Sequence, residues 1–91
     1  MLRMSTTAQS PSTAVLALYG KIAGADVLLL QQEGERHLEP GVQLTLVLDD
    51  VQFIDEAGLA VLQRWAGPHL VLRGGSPFVR ALLAAEGLLT S

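Results

Sequence analysis

The sequence predicts a single small α/β domain, with a mixed and mostly parallel sheet of three to four strands and about three helices packed against it. The chain has 91 residues, a length typical of one domain. Apolar residues make up 49% of it, which is enough for a core. Short apolar runs alternate along the chain with helix-like segments. Strands and helices that alternate in this way usually form parallel strands joined by right-handed crossovers.

The first structured segment is predicted to begin at residue 14. Residues 1–13 are rich in Ser, Thr, Gln and Pro and offer little to bury, so we expect a flexible tail followed by a domain over residues 14–91. Residues 14–19 form an apolar run that is too short for a standard helix and predicts a buried strand. Gly20 and Gly24 predict a turn after it.

Residues 25–38 allow two interpretations. In a helix, Asp26 would be the cap, and one face would carry apolar or small side chains at spacings of three and four: Val27, Leu30, Gly34 and Leu38. The alternative is a strand over residues 27–31. The helical interpretation is favoured, although Gly34 lowers helix stability by about 1 kcal/mol relative to alanine.

Two further strands are predicted downstream. Residues 42–49 alternate between apolar and other side chains, with Val42, Leu44, Leu46 and Leu48 on one face. A shorter apolar run over residues 69–73 precedes a pair of glycines and predicts the third strand.

A helix over residues 55–66 has a clear start. Asp55 can accept hydrogen bonds from the amides of the first turn. Ile54 and Leu59 occupy the two positions of a hydrophobic staple. Trp65, the single tryptophan, is either a core anchor or a contact residue for a partner, and core packing is the favoured interpretation.

The last helix is predicted from its two ends. Ser76 is placed to cap it, and Pro77 occupies the first helical position, where the missing amide does no harm. Phe78, Leu82 and Ala85 would share one face, with Val79 and Leu83 adjacent. Gly87 is placed to end the helix.

Composition argues against several classes of function. The chain has no cysteine, which excludes disulfides, thiolate metal sites and a cysteine nucleophile. Its net charge of −3 argues against nucleic-acid binding. Neither His37 nor His69 lies in a recognisable catalytic pattern, so we expect no enzyme activity, no metal and no cofactor. Apolar runs are far shorter than the roughly 20 residues of a membrane span, and the cytoplasm is the expected location.

The most informative segment is residues 46–62. A strand ends in acids, Phe53 and Ile54 follow, and a capped helix begins with the turn Asp55-Glu56-Ala57-Gly58. Downstream, the chain reads S-P-F-V-R-A-L-L over residues 76–83. This combination resembles the STAS family, the domain of bacterial anti-sigma-factor antagonists. In that family a V-L-D strand leads through F-I-D-S-S-G-L to a helix, and a later strand leads through S-P-x-V-R-x-L-L to the last helix.

The resemblance implies a non-catalytic protein-binding regulator. In the antagonists, a partner anti-sigma kinase phosphorylates a serine of the D-S-S-G turn, and the unphosphorylated form binds that partner and frees the sigma factor. Here Ala57 stands at the position of the phosphorylated serine, and Glu56 replaces the hydroxyl residue before it. Neither side chain accepts a phosphate. The chain is therefore expected to be a constitutive binder, or one in which Glu56 partly mimics a permanent charge.

A second expectation comes from the short length of the domain. It resembles the compact STAS subunit of ABC transporters that maintain outer-membrane lipid asymmetry, which docks on the transporter's ATPase. The corresponding turn of that subunit has a threonine after the aspartate, which Glu56 does not match.

Under either expectation the partner is a protein, and a homodimer is a further prediction. The docking surface is predicted around the start of the second helix, where small side chains would let a partner approach the backbone: Asp50, Asp55, Glu56, Ala57, Gly58 and Leu59. The acids of residues 49–56 either form a rim for a basic partner or serve only as loop solvation and a helix cap.

Overall fold

A computed structural model describes residues 2–38 and 41–89 of the chain. Within those residues the elements follow in this order: β1 (Arg3–Gln9), β2 (Thr13–Ile22), α1 (Asp26–Glu35), β3 (Gln43–Ile54), α2 (Glu56–Trp65), β4 (Leu70–Arg73) and α3 (Pro77–Ala85). The sheet has the strand order β1-β2-β3-β4. β1 is antiparallel to β2, and the other neighbours are parallel. The predicted fold class is confirmed.

β1 corrects the prediction of a flexible tail over residues 1–13. Its residues Arg3–Gln9 pair antiparallel with β2, and Leu2 before them is buried in the core. The Leu2 amide also donates to Asp26 Oδ2 at 3.1 Å. An edge strand pairs with its neighbour through backbone groups, so a mostly polar sequence forms it without a continuous apolar pattern. The sequence therefore carried little signal for this strand.

The hydrophobic core lies on one face of the sheet. Alternate residues of the central strands enter it, among them Leu16 and Leu18 of β2 and Leu44 and Leu46 of β3. The same cluster contains residues from all three helices: Val27 and Leu30, Leu59, Val61 and Leu62, and Val79 and Leu83. All three helices therefore cover the same face. Right-handed crossovers between neighbouring parallel strands place α1 and α2 there, and α3, which follows β4, packs on the same face.

β3 runs five residues beyond the predicted end at residue 49. It carries one extra residue at each of two places, between the partner pairs Ala17–Val47 and Tyr19–Asp50, and between Gly20–Val51 and Lys21–Phe53. Such bulges shift which face a side chain occupies. Buried positions in this half of β3 are therefore three apart, at Leu48, Val51 and Ile54, and Asp49, Asp50, Gln52 and Phe53 are exposed.

The first helix is confirmed, and the alternative strand over residues 27–31 is wrong. Its cap differs from the prediction, because Ala25 is the N-cap residue and Asp26 lies inside the first turn. Gly34 faces α2, where an ideal Cβ on it would lie 2.7 Å from Trp65 Cζ3. The missing side chain makes room for the indole ring, and Trp65 packs against the core as the favoured interpretation expected.

Candidate functional site

The predicted docking residues lie at one edge of the sheet. β2, β3 and β4 are parallel, so their carboxyl ends meet there together with the N-termini of the helices that follow them. In open α/β sheets this edge is the usual place for binding sites, because its loops are free to vary over a fixed scaffold.

Asp55 organises the start of α2. Its backbone is extended, and its Oδ1 accepts a hydrogen bond from the Gly58 amide at 2.8 Å, as the capping prediction required. Its Oδ2 accepts a second bond, from the Gly24 amide in the loop between β2 and α1, at 2.9 Å. One carboxylate therefore satisfies a helix N-terminus and holds a neighbouring loop against it.

These bonds also set the charge state of Asp55. The Gly24 amide, followed by the Gly58 amide, lowers the pKa of the Asp55 carboxyl below its ordinary value of 3.8, against a smaller opposing effect of burial. Hydrogen bonds donated to a carboxylate favour its ionised form. Asp55 is thus a negative charge already engaged by this chain's own backbone.

The helix start presents two of its residues to solvent and buries the next two. Glu56 and Ala57 are exposed, whereas Gly58 and Leu59 are buried. An ideal Cβ on Gly58 would lie 2.8 Å from Ile22 Cγ2 and 2.9 Å from Ile54 Cγ2. The space beside Gly58 is therefore filled by the ends of β2 and β3 and is not open to a partner.

Asp50 completes the exposed part of the predicted set. It lies on β3, where it pairs with Tyr19 of β2, and its side chain is exposed. Asp50 is therefore a strand residue and not a loop residue. Of the six predicted docking residues, three face solvent: Asp50, Glu56 and Ala57. Asp55 is half-buried and serves as the cap, and the remaining two lie beneath the surface.

The start of α3 lies at the same edge and is built differently. Ser76 caps the helix, because its Oγ accepts from the Val79 amide at 3.1 Å. The preceding Gly74 and Gly75 have φ of +75° and +106°, a region that favours glycine. Asp49 Oδ1 accepts from the Gly75 amide at 3.2 Å, and Arg80 Nη1 donates to the Gly74 carbonyl at 3.0 Å.

An aromatic pair beside these two helix starts was missed by sequence reasoning. The rings of Phe53 and Phe78 stack, with centroids 6.2 Å apart and planes at 17°. They remain 38% and 54% exposed. The sequence placed Phe78 on one face of α3 with Val79 and Leu83 adjacent, and the structure shows that Val79 and Leu83 are the buried residues. The i, i+4 spacing of Val79 and Leu83 was the available signal, and the bulges of β3 hid the position of Phe53.

Within residues 2–38 and 41–89, no three His, Asp or Glu side chains are grouped so that they would hold a metal ion. In the same ranges, no helix combines the length and the apolar character needed to cross a membrane.

Comparison with known proteins defines the class of this domain. Its sheet, its helices on one face and its capped turn after β3 are those of a STAS-type domain, and a family model described as "Mlab, STAS domain" matches residues 5–90. The chain therefore belongs to the STAS-domain family, which confirms the resemblance seen in the sequence. A search of curated protein sequences gives no match.

Solved structures agree on the fold. The anti-sigma factor antagonist SpoIIAA in its unphosphorylated form is similar, with a TM-score of 0.73 and 18% identity over 97% of this chain and 82% of that one. An anti-sigma factor antagonist from Mycobacterium paratuberculosis is similar too, with a TM-score of 0.73 and 22% identity over 97% of this chain and 80% of that one. At these identities the likeness establishes the fold alone.

Proposed function

We propose that this chain is a non-catalytic, antagonist-like STAS regulator that binds a kinase-type anti-sigma factor and has no phosphorylation switch at the start of α2. The observation that carries the proposal is the geometry of that turn. Asp55 holds the helix start at the sheet edge, and Glu56 and Ala57 are exposed where the family has hydroxyl residues. A surface turn of this kind is accessible to a partner, and its side chains offer no acceptor for phosphate.

The absence of a hydroxyl removes the usual off state. A phosphate adds about −1.5 to −2 charges, and next to acids it repels a docked surface. Without it, the affinity for the partner is set by the unmodified turn at all times. Glu56 carries a single charge on a differently shaped group, so we treat it as part of the binding surface and not as a substitute for phosphate.

The test uses the purified chain and a purified kinase-type anti-sigma factor from the same organism. We expect a complex that Mg-ATP does not dissociate, and no phosphate on residues 55–58 by mass spectrometry. Ala57→Ser is the matched variant, because it restores the family's hydroxyl at an exposed position. Exposed substitutions of this kind usually change stability by less than about 0.5 kcal/mol. We expect this variant to be phosphorylated and then released.

Two results would contradict the proposal. One is release of the unaltered chain by ATP with phosphate in the α2 turn. The other is failure of the unaltered chain to bind the anti-sigma factor, whether or not Ala57→Ser binds it. Glu56→Gln separates the two interpretations of the acid, since tighter binding of this variant would mean that Glu56 mimics a phosphate.

A second candidate function is docking on the ATPase subunit of a lipid-transport ABC complex. The observation that favours it is the matched family model, whose description is Mlab and not antagonist. This function predicts a stable complex with a purified ABC ATPase subunit of the same organism and none with the anti-sigma factor. Gel filtration of each mixture distinguishes the two candidates.

A further inference from the structure

The stacked rings of Phe53 and Phe78 are not required by the core. β3 is anchored at this end by Val51 and Ile54, and α3 is anchored by Val79, all nearly inaccessible to solvent. Both phenylalanines of the chain are instead placed on each other at the surface. A single exposed apolar side chain needs no explanation, but two large rings brought together from separate elements form a patch, and such patches mark interaction surfaces.

The patch is continuous with the exposed turn of the proposed docking surface. Phe53 lies two residues before Asp55, and Glu56 and Ala57 follow directly. Phe78 occupies the first turn of α3, at the same edge of the sheet. The two helix starts are therefore bridged by aromatic contact, and a partner that reaches the α2 turn from solvent also reaches the rings.

The charges around the rings favour a basic occupant. Asp50 and Glu56 are exposed, and in the described part of the chain neither forms an ion pair within 4.0 Å. Lys21, which lies opposite Phe53 in the sheet, is the neighbouring base on β2. Arg80 on α3 already donates to the Gly74 carbonyl. Arg73 is a further exposed base at the carboxyl end of β4. With Asp49 and Asp55, this edge carries four carboxylates against three bases, and its net charge is negative.

We infer that Phe53 and Phe78 are the apolar anchor of the docking surface, and that the occupant is a protein segment with an aliphatic or aromatic side chain beside a lysine or arginine. The inference rests on the proposed function. Most of the affinity of a protein interface comes from a few residues, usually buried aromatic or arginine anchors, whereas charges at the rim act mainly through steering and specificity.

The experiment measures binding of Phe53→Ala and Phe78→Ala to the anti-sigma factor and to the ABC ATPase, using whichever probe binds the unaltered chain. We expect each substitution to raise Kd about 30-fold or more, the threshold of an interface hot spot. Leu28→Ala is the matched control, because Leu28 is 57% exposed on a different helix, α1. We expect that control to bind within about twofold of the unaltered chain, since its truncation removes a similarly exposed side chain outside the patch.

The charge part of the inference has its own measurement. Binding of the unaltered chain weakens as salt rises, and Asp50→Asn together with Glu56→Gln reduces that salt dependence. Circular dichroism checks that each variant is folded. Phe78 is more than half exposed, so its truncation should leave the fold intact. If Phe53→Ala does not fold, binding of Phe78→Ala alone tests the aromatic anchor.

The outcomes distinguish this inference from the function beneath it. If the unaltered chain binds neither probe, both are overturned. If it binds and the phenylalanine variants bind within about twofold, an effect too small for a hot spot, only the anchor is overturned. Binding that strengthens with salt would mean an acidic partner and would overturn the basic occupant. Sedimentation velocity of the chain alone covers the remaining case, since a dimer that Phe78→Ala dissociates would make a second copy the occupant.

Discussion

The helices α2 and α3 begin at the same edge of the sheet, each directly after a parallel strand, and each is capped by a side-chain oxygen. Their first three residues nevertheless differ in kind. α2 begins with Glu56, Ala57 and Gly58, whereas α3 begins with Pro77, Phe78 and Val79. At the third position of α2, the side chains of Ile22 and Ile54 occupy the space where a Cβ of Gly58 would lie. At the third position of α3, the side chain of Val79 is itself buried in the core.

The difference shows that the two helix starts are packed against the core in different ways. α2 lies so close to the ends of β2 and β3 that a methyl group does not fit. Its cap also reaches a second loop through Gly24. α3 packs on the core through the buried side chain of Val79, and the loop before it is held by polar contacts from Asp49 and Arg80. At its third position, α2 is thus packed through its backbone against the strand ends, whereas α3 is packed through a side chain of its own.

The largest effect on the free energy of unfolding is expected from changing the size of the side chain at the third position of each helix. Val79→Ala leaves a void in the core and is expected to lower the free energy of unfolding by about 2–3 kcal/mol. Gly58→Ala should gain about 1 kcal/mol of helix propensity but lose about 1–3 kcal/mol to overpacking, for a net loss of up to about 2 kcal/mol. Urea unfolding monitored by circular dichroism measures both.

Ala60→Gly is the control for helix propensity, because it makes the reverse change at an exposed position of α2. It is expected to cost about 1 kcal/mol, which separates propensity from packing at Gly58. A Gly58→Ala protein that is more stable than the unaltered chain would show that the strand ends yield, and the contrast between the two helices would then be incorrect.

The two caps should differ by a smaller amount. Ser76→Ala removes one local bond and is expected to cost about 1 kcal/mol, the usual value for a cap. Asp55→Ala removes a charged acceptor from both the Gly58 and Gly24 amides and is expected to cost about 2 kcal/mol. Equal losses in urea unfolding would mean that the bond to Gly24 adds no stability.

The local signals of the sequence were sufficient where the structure depends on local contacts. The Asp55 cap, the Ser76 cap and the Gly87 terminus all follow from bonds within one turn, and each prediction is confirmed. The leucines of β3 alternate because that half of the strand is regular. The three helices, the strands β2 to β4 and the position of the α2 turn could therefore be predicted.

The rest depends on contacts between distant residues, which no local pattern records. Gly58 reads as a small residue open to a partner until Ile22 and Ile54 are brought beside it. The bulges that expose Phe53 are set by pairing with β2, and Phe78 reaches that ring from a separate helix. The polar strand β1 exists only because β2 offers it an edge.

The smallest expected effect is a difference between the two caps, Asp55 and Ser76, in how their contribution to stability depends on pH. The pKa of Asp55 is lowered below 3.8 in the folded protein, so its contribution to stability is complete well above that pH and is lost as the pH falls through the folded pKa. Ser76 has no such dependence. In urea unfolding, we expect Asp55→Asn to be less stable than the unaltered chain at about pH 6, and this difference to shrink as the pH falls below 3.8 and the folded carboxylate is protonated. Ser76→Ala should show the same loss over the same range of pH. A constant difference for Asp55→Asn would mean that the carboxylate charge adds nothing beyond its hydrogen bonds, and the two caps would then differ only in the number of amides they reach.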